Sequence, residues 1–330
     1  RRFESRLLRL TAASSFAVSM ALVLVAEIAM GVHAAAFLTG YAQQPLAPLF
    51  TAMLAVMIVF GGMRSIGWVA TAQSIAVLIA VIVLAGLIGV MMTNLPLAQL
   101  SYGPVLRQIT RLEETQGMAT AARAVLEIAP SGRELTAIAA RAASPEAAMG
   151  SIGFVITTLA VTAGIAGAPW LLPRCATTLG VYEARKSLGW AIFFAGIVII
   201  TLSAIAMFLR SIVMTDLVGR TPAELPLWFT ELAARGLAAI EGSTPVVTLP
   251  SLKFARDGIL FAVSGALEFP SIVLYLVLAG VIAAAFAAAI TTAFALTAVL
   301  AEDVFGGLKL GLQSDAVRVM TARVMVFAVL

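Results

Sequence analysis

Long apolar runs alternate with two polar stretches along this chain. A bilayer's hydrocarbon core is about 30 Å thick, so about 18 or more apolar residues in a row read as a spanning helix. Six full spans are predicted, at 11–39, 46–62, 68–93, 151–173, 188–209 and 270–300, followed by a truncated seventh from 319. The second is short and ends at the Gly61-Gly62 pair. The polar stretches cover 94–150 and 210–269. In the first, Val105, Ile109 and Leu112 fall at helical spacing beside Arg107, Arg111, Glu113 and Glu114, which predicts an amphipathic helix over 104–148. An extracytoplasmic cap is the plain reading of that helix, and a solute-recruiting lid is the sharper one.

The span at 151–173 departs from a regular helix. Gly164, Gly167, Pro169 and Pro173 crowd its second half. Proline removes a backbone donor and clashes with the preceding turn. Lipid cannot satisfy the freed groups, so such a break is tolerated only where protein or a watery cavity covers it. Secondary transporters build midplane substrate sites from broken helices of this kind. Gly164, Ala166, Gly167, Pro169 and Trp170 are therefore the candidate substrate-binding residues.

Composition agrees with the pattern. Charged residues make up 12% of the chain and hydrophobic ones 61%. A soluble domain carries about 25% charged residues, so this is a multi-pass integral membrane protein. The single cysteine, Cys175, excludes an internal disulfide and any multi-cysteine metal site. The lone histidine, His33, lies among apolar neighbours and gives no zinc set. No bound cofactor, metal or nucleic-acid partner is expected, and no nucleophile–base pair marks a membrane enzyme. The pattern sets no oligomeric state.

Placement of the cations orients the chain. Arg64, Arg174, Arg185 and Lys186 sit in the short loops 63–67 and 174–187, whereas loop 40–45 holds no cation. Short basic loops stay in the cytoplasm. Both polar stretches then become extracytoplasmic inserts in one transmembrane domain spanning 1–330. The first apolar run is too long for a signal peptide and lacks a cleavage site. The chain starts at Arg1-Arg2 and stops inside an apolar run, so a fragment of a longer protein is expected.

Three local motifs resemble the sodium:solute symporter family. Gly61-Gly62-Met63-Arg64-Ser65-Ile66-Gly67-Trp68-Val69-Ala70-Thr71-Ala72-Gln73 is similar to its pattern of two glycines, three residues, Val, one residue, Trp-Thr-Asp, two residues, Gln. Gly164-Ile165-Ala166-Gly167-Ala168-Pro169-Trp170-Leu171-Leu172-Pro173-Arg174 is similar to G-T-A-G-x-P-H-x-x-x-R. Ala184-Arg185-Lys186-Ser187-Leu188-Gly189-Trp190-Ala191-Ile192-Phe193-Phe194 is nearly A-R-K-S-V-G-W-A-I-F-F. The polar insert after the third span and Gly61-Gly62-Met63 look most like the branch with acetate and other monocarboxylate permeases.

The resemblance implies a leucine-transporter-like bundle of five-plus-five inverted repeats in a bacterial inner membrane. The chain would run from core helix three into core helix nine and be incomplete at both ends. It implies a symporter for a small organic solute, coupled to sodium. Symporter-like domains also occur fused to histidine kinases, which makes a transporter-like sensor module the alternative.

Departures from the pattern bear on the coupling ion. In the family, adjacent hydroxyl residues of core helix eight coordinate sodium, and here Ala287 and Ala288 fall at those positions. The aspartate of the first motif is Ala70. A hard cation needs oxygen ligands, which a methyl group cannot supply. Thr291 and Thr292 lie one turn further on the same face and are the substitute candidates. The plainer reading makes Ala284, Ala287, Ala288, Thr291, Thr292 and Ala295 a small-residue packing stripe. Glu27 lies deep in the first span, where family members resemble Gln. A carboxyl titrating near neutral pH at that depth can carry a coupling proton, which makes H+ the alternative to Na+. A permanently protonated Glu27 that imitates Gln is the plainer reading.

Overall fold

The computed structural model describes residues 6–115, 136–137, 145–167, 178, 180–241, 245–248, 251–254, 259–305 and 315–330. The fold is α-helical and of membrane type. Helix α1 spans Arg6–Thr39, α2 Gln43–Val56, α3 Gly62–Thr93, α4 Ala98–Thr115 and α5 Pro145–Ala166. Helix α6 spans Val181–Asp216, α7 Leu227–Ala234, α8 Ile259–Ala266, α9 Ser271–Ala298 and α10 Asp315–Val329. Two π-helical segments extend α2 and α9, at Met57–Gly61 and Val299–Phe305.

Among the described residues, four helical tracks are long and apolar enough to cross a membrane: 10–39, 43–93, 181–216 and 271–304. Two shorter apolar helices cover 155–166 and 319–329. The difference from the predicted spans has local causes. The second and third spans are not separated by a loop at 63–67, because α3 begins at Gly62. Gly62 itself has φ 58° and ψ −167°, a conformation restricted to glycine, and it breaks the helical run. That requirement explains one glycine of the Gly61-Gly62 pair. Within the predicted span at 151–173, α5 ends at Ala166, three residues before Pro169, and residues 168–173 lie outside the described residues.

The chain divides into two compact units. The first comprises 1–80, 167–187 and 278–330. Its core joins Met20, Leu24, Val32, Phe50, Leu54 and Ile58 to Ala285, Phe286, Ala289, Ile290, Ala293 and Leu296. Helix α1 packs on α2 and on the second π-helical segment, and α10 packs on both π-helical segments. Close approach is built in at Gly31. A Cβ there would lie 2.6 Å from the Phe50 ring and 3.2 Å from Ala285. Phe50 is held in turn by an edge-to-face contact with Phe286, with ring centroids 5.3 Å apart.

The second unit comprises 81–166 and 188–277. It contains α4, whose Ala98, Ser101, Val105 and Ile109 are buried while Arg107 and Arg111 are exposed, as the amphipathic pattern predicts. Residues 116–135 and 138–144 of the helix predicted over 104–148 lie outside the described residues, and Thr136–Ala137 within it form a strand instead, because they pair with a strand of the second polar stretch. The two polar stretches are joined by a small antiparallel sheet. Strand β1 (Thr136–Ala137) and strand β2 (Ala238–Ile240) both pair with β3 (Leu252–Phe254), in the order β1-β3-β2. Thr136 opposes Phe254, and Ala239 opposes Lys253. Phe229 of α7 makes edge-to-face contacts with Phe254 of β3 and with Trp228. Lys253 is ion-paired to Glu241.

Candidate functional site

Helix α9 is apolar throughout, and its hydroxyl residues show two kinds of behaviour. In a helix surrounded by apolar groups, a threonine ordinarily returns its hydroxyl to a carbonyl one turn back, because no water competes. Thr291 does this, donating to the Ala287 carbonyl oxygen at 2.6 Å. Thr297 does the same with Ala293 at 2.8 Å. Thr292, adjacent to Thr291, instead crosses to α1, where its hydroxyl donates to Glu27 Oε1 at 3.2 Å. Thr292 is only 3% exposed.

The other carboxyl oxygen, Glu27 Oε2, is buried and has no hydrogen-bond partner among the described residues. Buried polar atoms in folded proteins are overwhelmingly paired, so each exception calls for a physical account. Here the magnitudes are unfavourable. A charge at the membrane centre costs roughly 2.5–3.5 kcal/mol on insertion scales. One interhelical hydrogen bond returns about 0.6 kcal/mol on average and at most about 1.7. Thr292 therefore offsets part of that cost and leaves the rest.

Packing around the pair is apolar and tight. Ala285, Ala289 and Ala293 of α9 are each 0% exposed, and Gly31 follows Glu27 by one turn on α1. Small residues at a helix interface let backbones approach closely. The fully buried stripe of α9 is thus Ala285, Ala289 and Ala293, displaced from the expected set. Of that set, Thr292 and Ala295 are buried, while Ala284, Ala287, Ala288 and Thr291 are half-buried. Ala70, at the aspartate position of the first motif, is buried with its methyl group.

The broken span is placed as follows. Gly164 and Ala166 occupy the last turn of α5, Gly167 forms the turn that follows, and all three are exposed. A Cβ on Gly164 would meet nothing within 4 Å. Pro169 and Trp170 lie outside the described residues. The structure thus brings together Glu27 and Thr292, which sequence reading had assigned to separate roles.

Two polar features were missed. Gln73 Oε1, in the first motif, is buried and unpartnered among the described residues, as is the Ser101 hydroxyl on α4. A polar side chain inside an apolar helix was the available signal for Gln73. In the second unit, Gln99 Nε2 donates to the Thr201 hydroxyl at 2.7 Å, and Thr201 donates onward to the Ile197 carbonyl at 2.6 Å.

Comparison with known proteins adds one finding. Part of the chain is similar to a symporter. Over 183 residues, 54% of the chain, it is 27% identical to an uncharacterized symporter of Cupriavidus necator. Those residues cover 27% of the relative, so the chain spans about a quarter of the length of the curated protein that it matches. No family model matches the chain. No solved structure matches it.

Proposed function

We propose that this chain is part of a secondary transporter, a symporter that moves a small organic solute across a bacterial inner membrane by alternating access. The observation that carries this reading is the sequence likeness to a symporter, found on a chain whose helices are long and apolar enough to span. The ending of α5 at Ala166, before Pro169, supports a solute site there. Unpaired backbone groups at a helix end favour a charged or polar ligand, and a monocarboxylate suits a helix N-terminus across such a break. The five-plus-five repeat of the sodium:solute symporters is our proposed architecture. The packing of α1 and α2 with α9 and α10 in one unit supports it, because it joins early and late helices of the chain.

Sodium coupling through the family's usual positions is disfavoured by chemistry. Ala287, Ala288 and Ala70 offer methyl groups, and Thr291 directs its hydroxyl to its own helix. The test is counterflow of labelled pyruvate in proteoliposomes. Protein-dependent exchange that changes little when sodium is removed is the expected result. Absence of exchange with pyruvate, lactate, propionate and acetate would overturn the reading. A steep sodium dependence abolished by Thr291→Ala would overturn the coupling argument alone.

A further inference from the structure

We propose that Glu27, positioned by Thr292, is the site at which this protein takes up and releases the proton that accompanies its solute; the coupling role rests on the transporter reading above. Two observations on different helices point to it. Thr292 departs from the back-bonding of Thr291 and Thr297 to reach Glu27 Oε1, and Glu27 Oε2 is buried with no hydrogen-bond partner among the described residues. Among the described residues, either protonation state leaves that oxygen unmatched. A carboxylate lacks a second donor, and a carboxylic acid lacks an acceptor for its O–H. A purely structural polar contact would gain by completing its partners. A group that must exchange a proton needs one oxygen left open.

Ligand number decides between a proton and a metal cation. Hard cations take about six oxygens or more. The pair presents only the two Glu27 oxygens and one Thr292 hydroxyl. Ala285, Ala289 and Ala293 nearby on α9 offer only methyl groups, and a Cβ on Gly31, one turn beyond Glu27, would meet the Phe50 ring. Helix carbonyls nearby are committed, as Ala287 and Ala293 show by accepting from Thr291 and Thr297. A proton requires a single oxygen, and Glu27 Oε2 supplies it.

Other titratable groups on the packed elements are few. Helix α2 carries none, and α9 carries only Tyr275, 17 residues before Thr292. The second π-helical segment carries Glu302 and Asp303, on the order of 15 Å beyond Thr292 at 1.5 Å per residue. Helix α3 carries Arg64 in its first turn, and α10 carries Asp315, Arg318 and Arg323. On α1 itself, Arg6 and Arg9 lie near the start, and His33 is roughly 9 Å further along on a different face. The transfer is a simple exchange. A hydronium ion reaching the pair from one side gives its proton to Oε2 and leaves as water, and water on the other side accepts that proton as hydronium after the solute site has turned.

Infrared titration of the reconstituted protein tests the site without a solute. A carboxylic-acid carbonyl band is expected that changes with pH, moves in D2O and is absent in Glu27→Gln. Thr292→Val should displace the band, and Thr292→Ser should restore it, because the hydroxyl bonds directly to the carboxyl. A band unchanged over the whole pH range, or one retained in Glu27→Gln, overturns the proposal. The coupling role is read from pyruvate accumulation. With one proton per solute, a one-unit pH gradient raises it about tenfold in the wild type and not in Glu27→Gln. Tenfold accumulation retained in Glu27→Gln overturns the coupling role. Absence of any monocarboxylate flux sinks the transporter reading instead, and the infrared result still decides the proton site.

Discussion

Two polar pairs tie neighbouring helices in this chain, and they differ in how completely they are satisfied. In the second unit, Gln99 donates to Thr201, and the Thr201 hydroxyl donates a hydrogen bond to the Ile197 carbonyl. Every group of Thr201 in that relay is used, on a residue that is 0% exposed. In the first unit, Thr292 donates to one oxygen of Glu27, and Oε2 has no partner among the described residues. The first pair behaves as a structural tie between α4 and α6. The second leaves a carboxyl, the more costly group, unfinished. Ionisable residues inside membrane spans are rare, and such a group is by default a candidate functional site.

The comparison can be broken at several points. The largest effect is expected from Gly31→Ala. Its Cβ would press on the Phe50 ring at 2.6 Å, and overpacking of this kind costs about 1–3 kcal/mol. Detergent unfolding curves should show that loss. No change would mean that α1 and α9 are not packed as tightly as described. Next comes Glu27→Gln, which should remove about 1.4 kcal/mol of proton-driven accumulation, the tenfold factor, with little change in unfolding. A smaller effect is expected from Thr201→Val combined with Gln99→Leu. A double-mutant cycle should give a coupling energy of about 0.6 kcal/mol, with transport intact. The same cycle on Thr292→Val and Glu27→Gln should give a value no larger, yet Thr292→Val should shift the pH profile of flux. Equal behaviour of the two pairs in both readouts would erase the distinction between tie and site.

Much of the helical framework was legible because apolar length alone signals a span. The end of α5 was legible from Pro169, and the break at Gly62 from a glycine pair, although the loop expected at 63–67 proved to be the first turn of α3. The phase of α9 was not legible. A helix apolar on every side carries no polar face to fix which stripe is buried. The stripe centred on Ala285, Ala289 and Ala293 therefore could not be told from its neighbour. Glu27 was conspicuous as an acid in an apolar run, but its partner lies 265 positions away. Adjacent threonines point about 100° apart on a helix, and only the packing of α1 on α9 shows which one turns to Glu27. The pairing of β1 with β3, across the two polar stretches, was likewise beyond short-range pattern.

Joint measurement of solute and proton flux tests the central claim most directly. Proteoliposomes holding a pH-sensitive dye are given external pyruvate, with no sodium on either side. The account predicts acidification of the lumen in step with pyruvate entry for the wild type, and none for Glu27→Gln. Equal acidification by Glu27→Gln, or pyruvate entry that requires sodium and moves no proton, would contradict it.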